Sequence, residues 1–424
     1  MNTIQKYKEY VNTAFVNAVE PIVVECAQGA TVYDESGKAY LDCFSGISVV
    51  NAGHGNPGVI EAAKAQMEKL IHCGSYVYHV KAVADLAERL AAITPGRLRK
   101  SFFANSGAEA VEGAMRLAKQ YTGKQEAVAL TASFHGRTNG TLSVTGMAGR
   151  KKKGGPYLPG IAFAPHPYCY RCPFKQTSPE KCGLLCADYL EEVIRYQTSD
   201  NVAFFIAEPV MGEGGIIVPP AGYFKRVKEI LDAHGILFIA DEVQSGFCRT
   251  GKMFAIEHGG VEPDLMAMAK GIADGFPLSA FIAPKEIADA FKPGDHLSTF
   301  GGNPVSCAAA LANIQYLLKA NLAAESARKG QWLMESLRGL CPSNAVFGEV
   351  RGQGLMIGIE VVKSLSSKEP APDRAGALRA SLLEKGILIG LGGTFNNVLR
   401  IQPPLVISDE ELNRFVEILE QITI

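Results

Sequence analysis

Long apolar runs are missing from this 424-residue chain. No stretch approaches the roughly 20 residues that a membrane helix needs. The opening residues, MNTIQKYKEY, lack the apolar core of a secretory signal. Net charge is nearly absent: 42 Lys and Arg against 43 Asp and Glu leave −1. Bulk charge therefore offers no hold on nucleic acid or on an anionic membrane, and neither is expected as a partner. A local basic run, Arg150, Lys151, Lys152 and Lys153, reads as a solvated loop. Internal repeats and low-complexity segments are also lacking. Ten cysteines without an export signal point to a reducing compartment, so a cytoplasmic protein with mostly free thiols is expected. What remains is an ordinary globular composition, 47% hydrophobic and 20% charged, which is enough for a sizeable core. The length allows one large domain and one or two smaller ones.

Two short apolar runs organise the rest. Residues 236–240 end abruptly in Asp241 and Glu242, and residues 265–269 end in Lys270 and Gly271. Continuous apolar runs of this length suit strands buried on both faces. If the two are parallel neighbours, Asp241 and Lys270 meet at the carboxyl edge of the sheet, where open α/β sheets bind ligands. An acid and an amine facing one small molecule suit pyridoxal 5′-phosphate (PLP): the amine forms a Schiff base with the aldehyde, and the acid keeps the ring nitrogen protonated. Taken alone, Asp241 reads as a turn residue and Lys270 as a surface lysine; it is the pair, with the motifs around it, that points to the cofactor.

Other motifs surround this pair. The turn Asn105-Ser106-Gly107-Ala108 lies between a strand ending near Phe103 and a helix expected over 108–121. A helix N-terminus with a glycine and a hydroxyl is a phosphate cradle, although a serine there is also an ordinary N-cap. A strand is expected over 126–134, with Phe134 at its end to stack on a flat ring. His135, Gly136 and Arg137 follow, and the planar fork of Arg137 suits a carboxylate as well as a surface ion pair. Cys169, Cys172, Cys182 and Cys186 are spaced C-x2-C-x9-C-x3-C. That spacing suits either a structural zinc or four reduced cysteines, with Cys182 and Cys186 on one face of a helix running through Tyr189 and Val193. Helices are also expected over 57–73, 82–93, 223–234 and 306–318, and from Ser408 onward. A hairpin is expected around residues 34–37, and a strand-like run over 350–362.

ADEVQSG at 240–246, AKG at 269–271 and EPVMGEGG at 208–215 resemble the signature of the class III PLP-dependent aminotransferases, the ω-amino acid transaminases and their relatives. The resemblance covers residues 33–420, and its nearest pattern is that of the 4-aminobutyrate enzymes. It implies an α/β chain of PLP fold type I, like aspartate aminotransferase. The large domain would hold a mostly parallel seven-stranded sheet, beside a small α/β domain. The expected division is 1–56 for the N-terminal arm and part of the small domain, 57–310 for the large domain, and 311–424 for the linker helix and the rest of the small domain.

The resemblance also assigns roles. Lys270 would carry the cofactor and Asp241 would face its ring nitrogen. Ser106, Gly107 and Ala108 would hold the phosphate. Phe134 and Val243 would sandwich the ring, with His135, Glu208 and Gln244 around it. Thr299 would bind the phosphate of a neighbouring subunit, which implies a homodimer or a dimer of dimers with shared sites. Ile47 and Arg137 would face the substrate. Glu213 and Arg400 would form a pair that opens for one of two amino donors, or else a plain structural ion pair. Met211 stands where the family frequently has glutamine, and Ile47 where ornithine enzymes tend to carry tyrosine. The implied reaction moves an amino group from an ω-amino acid to a keto acid, 2-oxoglutarate or pyruvate. Acetylornithine-type transamination and amino acid racemisation share these residues and stay open.

Overall fold

The structure is a computed structural model that describes residues 1–13, 19–176, 178–341 and 346–422. Its central sheet has seven strands: β1 Lys100–Ala104, β2 Glu126–Leu130, β3 Ile161–Ala164, β4 Val202–Ala207, β5 Leu237–Asp241, β6 Leu265–Met268 and β7 Ser279–Ala283. Their spatial order is β1, β7, β6, β5, β4, β2, β3. Only β7 runs antiparallel to its neighbours; the other pairs are parallel. The α/β class and the mostly parallel seven-stranded sheet are as expected.

The central strands are apolar throughout because each face of the sheet meets a different core. Phe204 and Ile206 of β4, Ile239 of β5 and Ala267 of β6 pack on one side. Phe205, Phe238 and Met266, one residue out of step, pack on the other. Helix α1, Gly107–Thr122, closes the first side with Ala110, Val111, Ala114, Leu117 and Ala118, a stripe at helical spacing. Helix α2, Tyr223–Ala233, closes the second with Tyr223, Val227, Ile230 and Leu231. Each buried Phe, Ile or Leu stabilises this sandwich by about 1.5–3 kcal/mol.

Two smaller sheets flank it. Val24–Gln28, Thr31–Asp34 and Ala39–Asp42 form an antiparallel meander, with Tyr33 opposite Ala39 across the expected hairpin. Ile387–Leu388 adds to its edge in parallel, so chain from both ends shares one sheet. Phe347–Gln353, Met356–Val361, Val398–Ile401 and Gly390–Gly392 make the other, wholly antiparallel sheet. The expected break at 310/311 falls inside an unbroken helix, α3, Pro304–Lys319.

Three expectations need correction. The strand expected to reach Phe134 stops at Leu130, because Ala132 adopts φ +62° and turns the chain out of the sheet. The run 350–362 is not one strand but two, folded back at Gly354 with φ +54°. Cys182 and Cys186 do not share a helix: Gly183 and Leu184, at φ +58° and +62°, separate Pro179–Cys182 from Leu185–Gln197.

Candidate active site

Strands β5 and β6 are parallel neighbours, with Asp241 in register with Ala267. Asp241 is the last residue of β5, and Lys270 follows β6 by two residues. Both side chains line a cavity of about 290 Å³ at the carboxyl edge of the sheet. Gly107, Ala108, Phe134, His135, Gly136, Arg137, Glu208, Glu213, Val243 and Gln244 complete its wall.

Asp241 is 3% exposed. One oxygen accepts the Val243 N–H at 3.1 Å, and the other lies 2.7 Å from His135 Nδ1. The opposite ring nitrogen of His135, Nε2, is buried without a partner among the described residues. Glu208 accepts the Phe134 N–H and the Gly212 N–H, both at 2.9 Å, and so fixes the turn that carries Phe134 and His135. Burial pushes the Glu208 carboxyl up to about 7, with His135 pulling against it.

Lys270 stands at φ +44°, a left-handed conformation that costs a lysine about 1–3 kcal/mol and that the tight turn after β6 enforces. Burial lowers the pKa of its amine, while Glu213, Asp241 and Glu208 oppose that shift. An amine held below its ordinary range is a better nucleophile toward a carbonyl near neutral pH.

The N-terminus of α1 is a capping box. Ser106 Oγ accepts the Glu109 N–H at 3.3 Å, and the Glu109 carboxylate accepts the Asn105 and Ser106 N–H groups at 2.9 and 2.8 Å. Ser106 caps the helix and does not line the cavity; Gly107 and Ala108, one step inside the helix, do. Close approach explains the glycine. A Cβ on Gly107 would lie 2.8 Å from Val243 Cγ1. Gly136, at φ +139°, is confined in the same way, since a Cβ there would lie 2.6 Å from Thr141 Oγ1 and 2.9 Å from Ala108 Cβ.

Two arginines flank the cavity. Arg137 is exposed at its rim, 5.7 Å from the Phe134 ring, and no carboxylate among the described residues pairs with it. The surface ion pair considered for it is thus not formed. Arg400 lies behind Glu213, its Nη1 donating to Glu213 Oε1 at 2.7 Å. Its guanidinium sits over the Phe44 ring at 5.2 Å, and its Nε is buried with no acceptor among the described residues. Glu213 is drawn down to about 2: burial acts against ionisation, and Arg400 overcomes it.

The remaining predicted residues lie apart. Thr299 is exposed, and its neighbour Ser298 accepts from Asn105 Nδ2 at 3.3 Å. Ile47, 38% exposed, belongs to a strained turn in which Ser45, Gly46, Ile47 and Ser48 all have positive φ. Neither lines the cavity. The four cysteines share a neighbourhood, and the Cys186 thiol is pushed up to about 12 by burial, with Cys169 and Cys182 adding to it. Among the described residues, no group of three or more His, Cys, Asp or Glu is arranged to hold a metal ion, so the structure gives the zinc expectation no support.

Three residues escaped the sequence reading. Arg150 is not in a solvated loop but donates to Glu213 Oε2 at 3.0 Å. Arg249 is fully buried and donates to Leu355 O, Pro403 O, Asn51 Oδ1 and Ser45 Oγ, anchoring the strained turn. Phe44 underlies Arg400. Nothing in local periodicity signals any of them.

The donor set fits PLP. An amine and a buried acid share one wall, two residues of a helix N-terminus supply an anion site, and Gly107 and Gly136 keep the cavity open. The class III aminotransferase family model matches residues 14–423. The acetylornithine aminotransferase of Methanosarcina acetivorans is 42% identical over 99% of this chain and 96% of its own. A probable 4-aminobutyrate aminotransferase of Bacillus subtilis is 38% identical over 98% and 96%. A leucine/methionine racemase of Thermococcus litoralis is 39% identical over 99% and 94%. Among solved structures, a Bacillus anthracis aminotransferase superposes with TM-score 0.93 at 35% identity, covering 99% of this chain and 98% of its own. A PLP-bound amine transaminase from an uncultivated Pseudomonas species superposes with TM-score 0.91 at 33% identity, covering 96% and 97%. The chain belongs to the class III aminotransferase family and is a PLP-dependent aminotransferase.

Proposed function

We propose that the amino donor is an ω-amino acid of the 4-aminobutyrate type, and the acceptor a keto acid, 2-oxoglutarate or pyruvate. The observation that carries this is the Glu213–Arg400 pair at 2.7 Å beside the Lys270 amine. While Glu213 holds Arg400, that guanidinium is not free to take a carboxylate at the inner end of the pocket. A substrate with a terminal amine then enters amine first, and the unpaired Arg137 at the rim takes its carboxylate in a bidentate grip. An α-keto acid carries a carboxylate next to the reacting carbon, so it needs Arg400 itself, and Glu213 must turn aside. The buried Nε of Arg400, unpartnered among the described residues, would be a further donor for that carboxylate.

PLP, when bound, supplies the electron sink that stabilises the carbanion. The chain's residues do the rest. Lys270 would hold the cofactor at its aldehyde, and its amine, once freed, would serve as the base that moves a proton at the substrate carbon. Asp241, oriented by His135 and the Val243 N–H, would keep the ring nitrogen charged. Gly107 and Ala108 would give N–H groups to the phosphate, and Phe134 and Val243 would confine the ring. Thr299 serves the site of a second copy, which its exposure outside its own cavity supports.

Glu213→Gln tests the reading. The preference for 4-aminobutyrate over an α-amino acid donor should fall at least tenfold in kcat/KM. An unchanged preference would make the ion pair merely structural and sink the proposal. The similarity to a racemase favours one other reaction on the same residues. Consumption of a keto acid acceptor separates the two, because racemisation needs none.

A further inference from the structure

We propose that Arg150 is the resting partner that receives Glu213 when Arg400 is given up to a substrate α-carboxylate. The inference rests on the reading of Glu213 and Arg400 above and adds the residue that makes the exchange feasible. Glu213 is gripped on both oxygens: Oε1 accepts from Arg400 Nη1 at 2.7 Å, and Oε2 accepts from Arg150 Nη2 at 3.0 Å. The two arginines differ in depth. The Arg400 side chain is 4% exposed and that of Arg150 is 32% exposed, with Glu213 at 13% between them.

This geometry decides what release costs. A carboxylate as buried as Glu213, held by Arg400 alone, would be stranded without a countercharge once the substrate took Arg400. With Arg150 on the second oxygen, a turn of the Glu213 side chain about that contact keeps one ion pair intact throughout. The substrate carboxylate replaces Glu213 on Arg400, and every charge stays compensated. Space adjoins the path. Gly214, next to Glu213, and Met147 and Ala148, just before Arg150, line a separate cavity of about 1000 Å³. The turn that carries Arg150, Ala148–Lys151, is itself fixed, because Ser133 O accepts the Gly146 and Met147 N–H groups at 3.0 and 3.1 Å. Arg150 is thus a positioning residue for the acceptor half of the reaction. Its neighbour Lys151 points elsewhere, over the Phe163 ring at 4.5 Å.

The test uses holoenzyme and glutarate, a dicarboxylate with no group to react, titrated by calorimetry, alongside KM values for 2-oxoglutarate and 4-aminobutyrate. Arg150→Gln should weaken glutarate binding about tenfold or more, and should raise the KM for 2-oxoglutarate by a larger factor than that for 4-aminobutyrate. In a Glu213→Gln background, the same change should move glutarate affinity less than twofold, and Arg150→Lys should recover part of the loss. No loss in Arg150→Gln, or an equal loss in both backgrounds, overturns the role of Arg150. If Glu213→Gln alone changes neither glutarate affinity nor donor preference, the exchange reading falls, and the role of Arg150 falls with it. If Glu213→Gln tightens glutarate while Arg150→Gln is silent, only the role of Arg150 falls.

Discussion

The contact between Gly107 and Val243 gives a prediction in which stability and cofactor affinity part company. Gly107 is the first residue of α1, and Gly107→Ala raises helix propensity by up to about 1 kcal/mol. Against this, the new Cβ would lie 2.8 Å from Val243 Cγ1 and 3.2 Å from Cγ2. Carbon atoms settle at about 3.5–4.0 Å, so Val243 must retreat by roughly 0.7 Å. It is β-branched with a stiff χ1, and its N–H is tied to Asp241 at 3.1 Å. The retreat therefore goes into the cavity that both residues line. Overpacking of this kind costs about 1–3 kcal/mol. In the apo protein the helix gain offsets part of that, and the melting temperature should fall only slightly. In the holoenzyme the intrusion works against PLP, whose dissociation constant should rise by roughly 5- to 150-fold, the equivalent of about 1–3 kcal/mol. Equilibrium dialysis of PLP against both proteins, with melting curves of the apo forms, measures the two effects separately. Adding Val243→Ala should relieve the clash and recover part of the affinity, short of wild type because the ring loses the Val243 contact. A PLP dissociation constant within twofold of wild type would refute the claim that this contact borders the cofactor.

Three further predictions follow from buried charges. Arg249→Met leaves Leu355 O, Pro403 O and Asn51 Oδ1 without their donor, and should destabilise the chain by roughly 3 kcal/mol or more, read as a drop of several degrees in melting temperature. The pH dependence of PLP capture by apoenzyme should have its rising limb below the ordinary lysine range, because burial lowers Lys270. Glu213→Gln should move that limb lower still, since it removes a charge that raises Lys270 and leaves Arg400, which lowers it; an upward shift would contradict the electrostatics. Glu242 is fully buried and pushed up to about 7 by burial, against an ordinary 4.5. Its folded form holds the proton more tightly than its unfolded form, so stability falls as pH rises from 4.5 to 7 and is flat above that. The loss is about 3 kcal/mol from this group, and unfolding measured at pH 5 and pH 8 should show a smaller difference in Glu242→Gln.

The central sheet was legible because its strands are buried on both faces and so read as uninterrupted apolar runs. For the same reason Asp241 and Lys270 stood out, as charges ending such runs. Backbone reversals at non-glycine positions were not legible. Ala132 ends β2 four residues early, at Leu130, and Leu184 helps break the helix expected through Cys182 and Cys186. Such φ values follow from tertiary packing, not from residue type. Ser106 shows a limit of another kind: the phosphate and N-cap readings share one residue pattern, and the structure shows the N-cap, with Glu109 completing the capping box. Arg150 was hidden by its company. Three lysines follow it, yet it alone crosses to Glu213, a meeting fixed by two loops far apart in the chain.

We propose that Lys270 binds PLP in a pocket that passes an amino group from an ω-amino acid to a keto acid. The most direct measurement is the absorption spectrum of purified holoenzyme while single amines are added without a keto acid. With 4-aminobutyrate, the visible cofactor band should bleach, and pyridoxamine phosphate should be recovered in amount equal to the sites. A band that never bleaches with any ω-amino acid, while an α-amino acid loses optical purity, would contradict the account and make the protein a racemase.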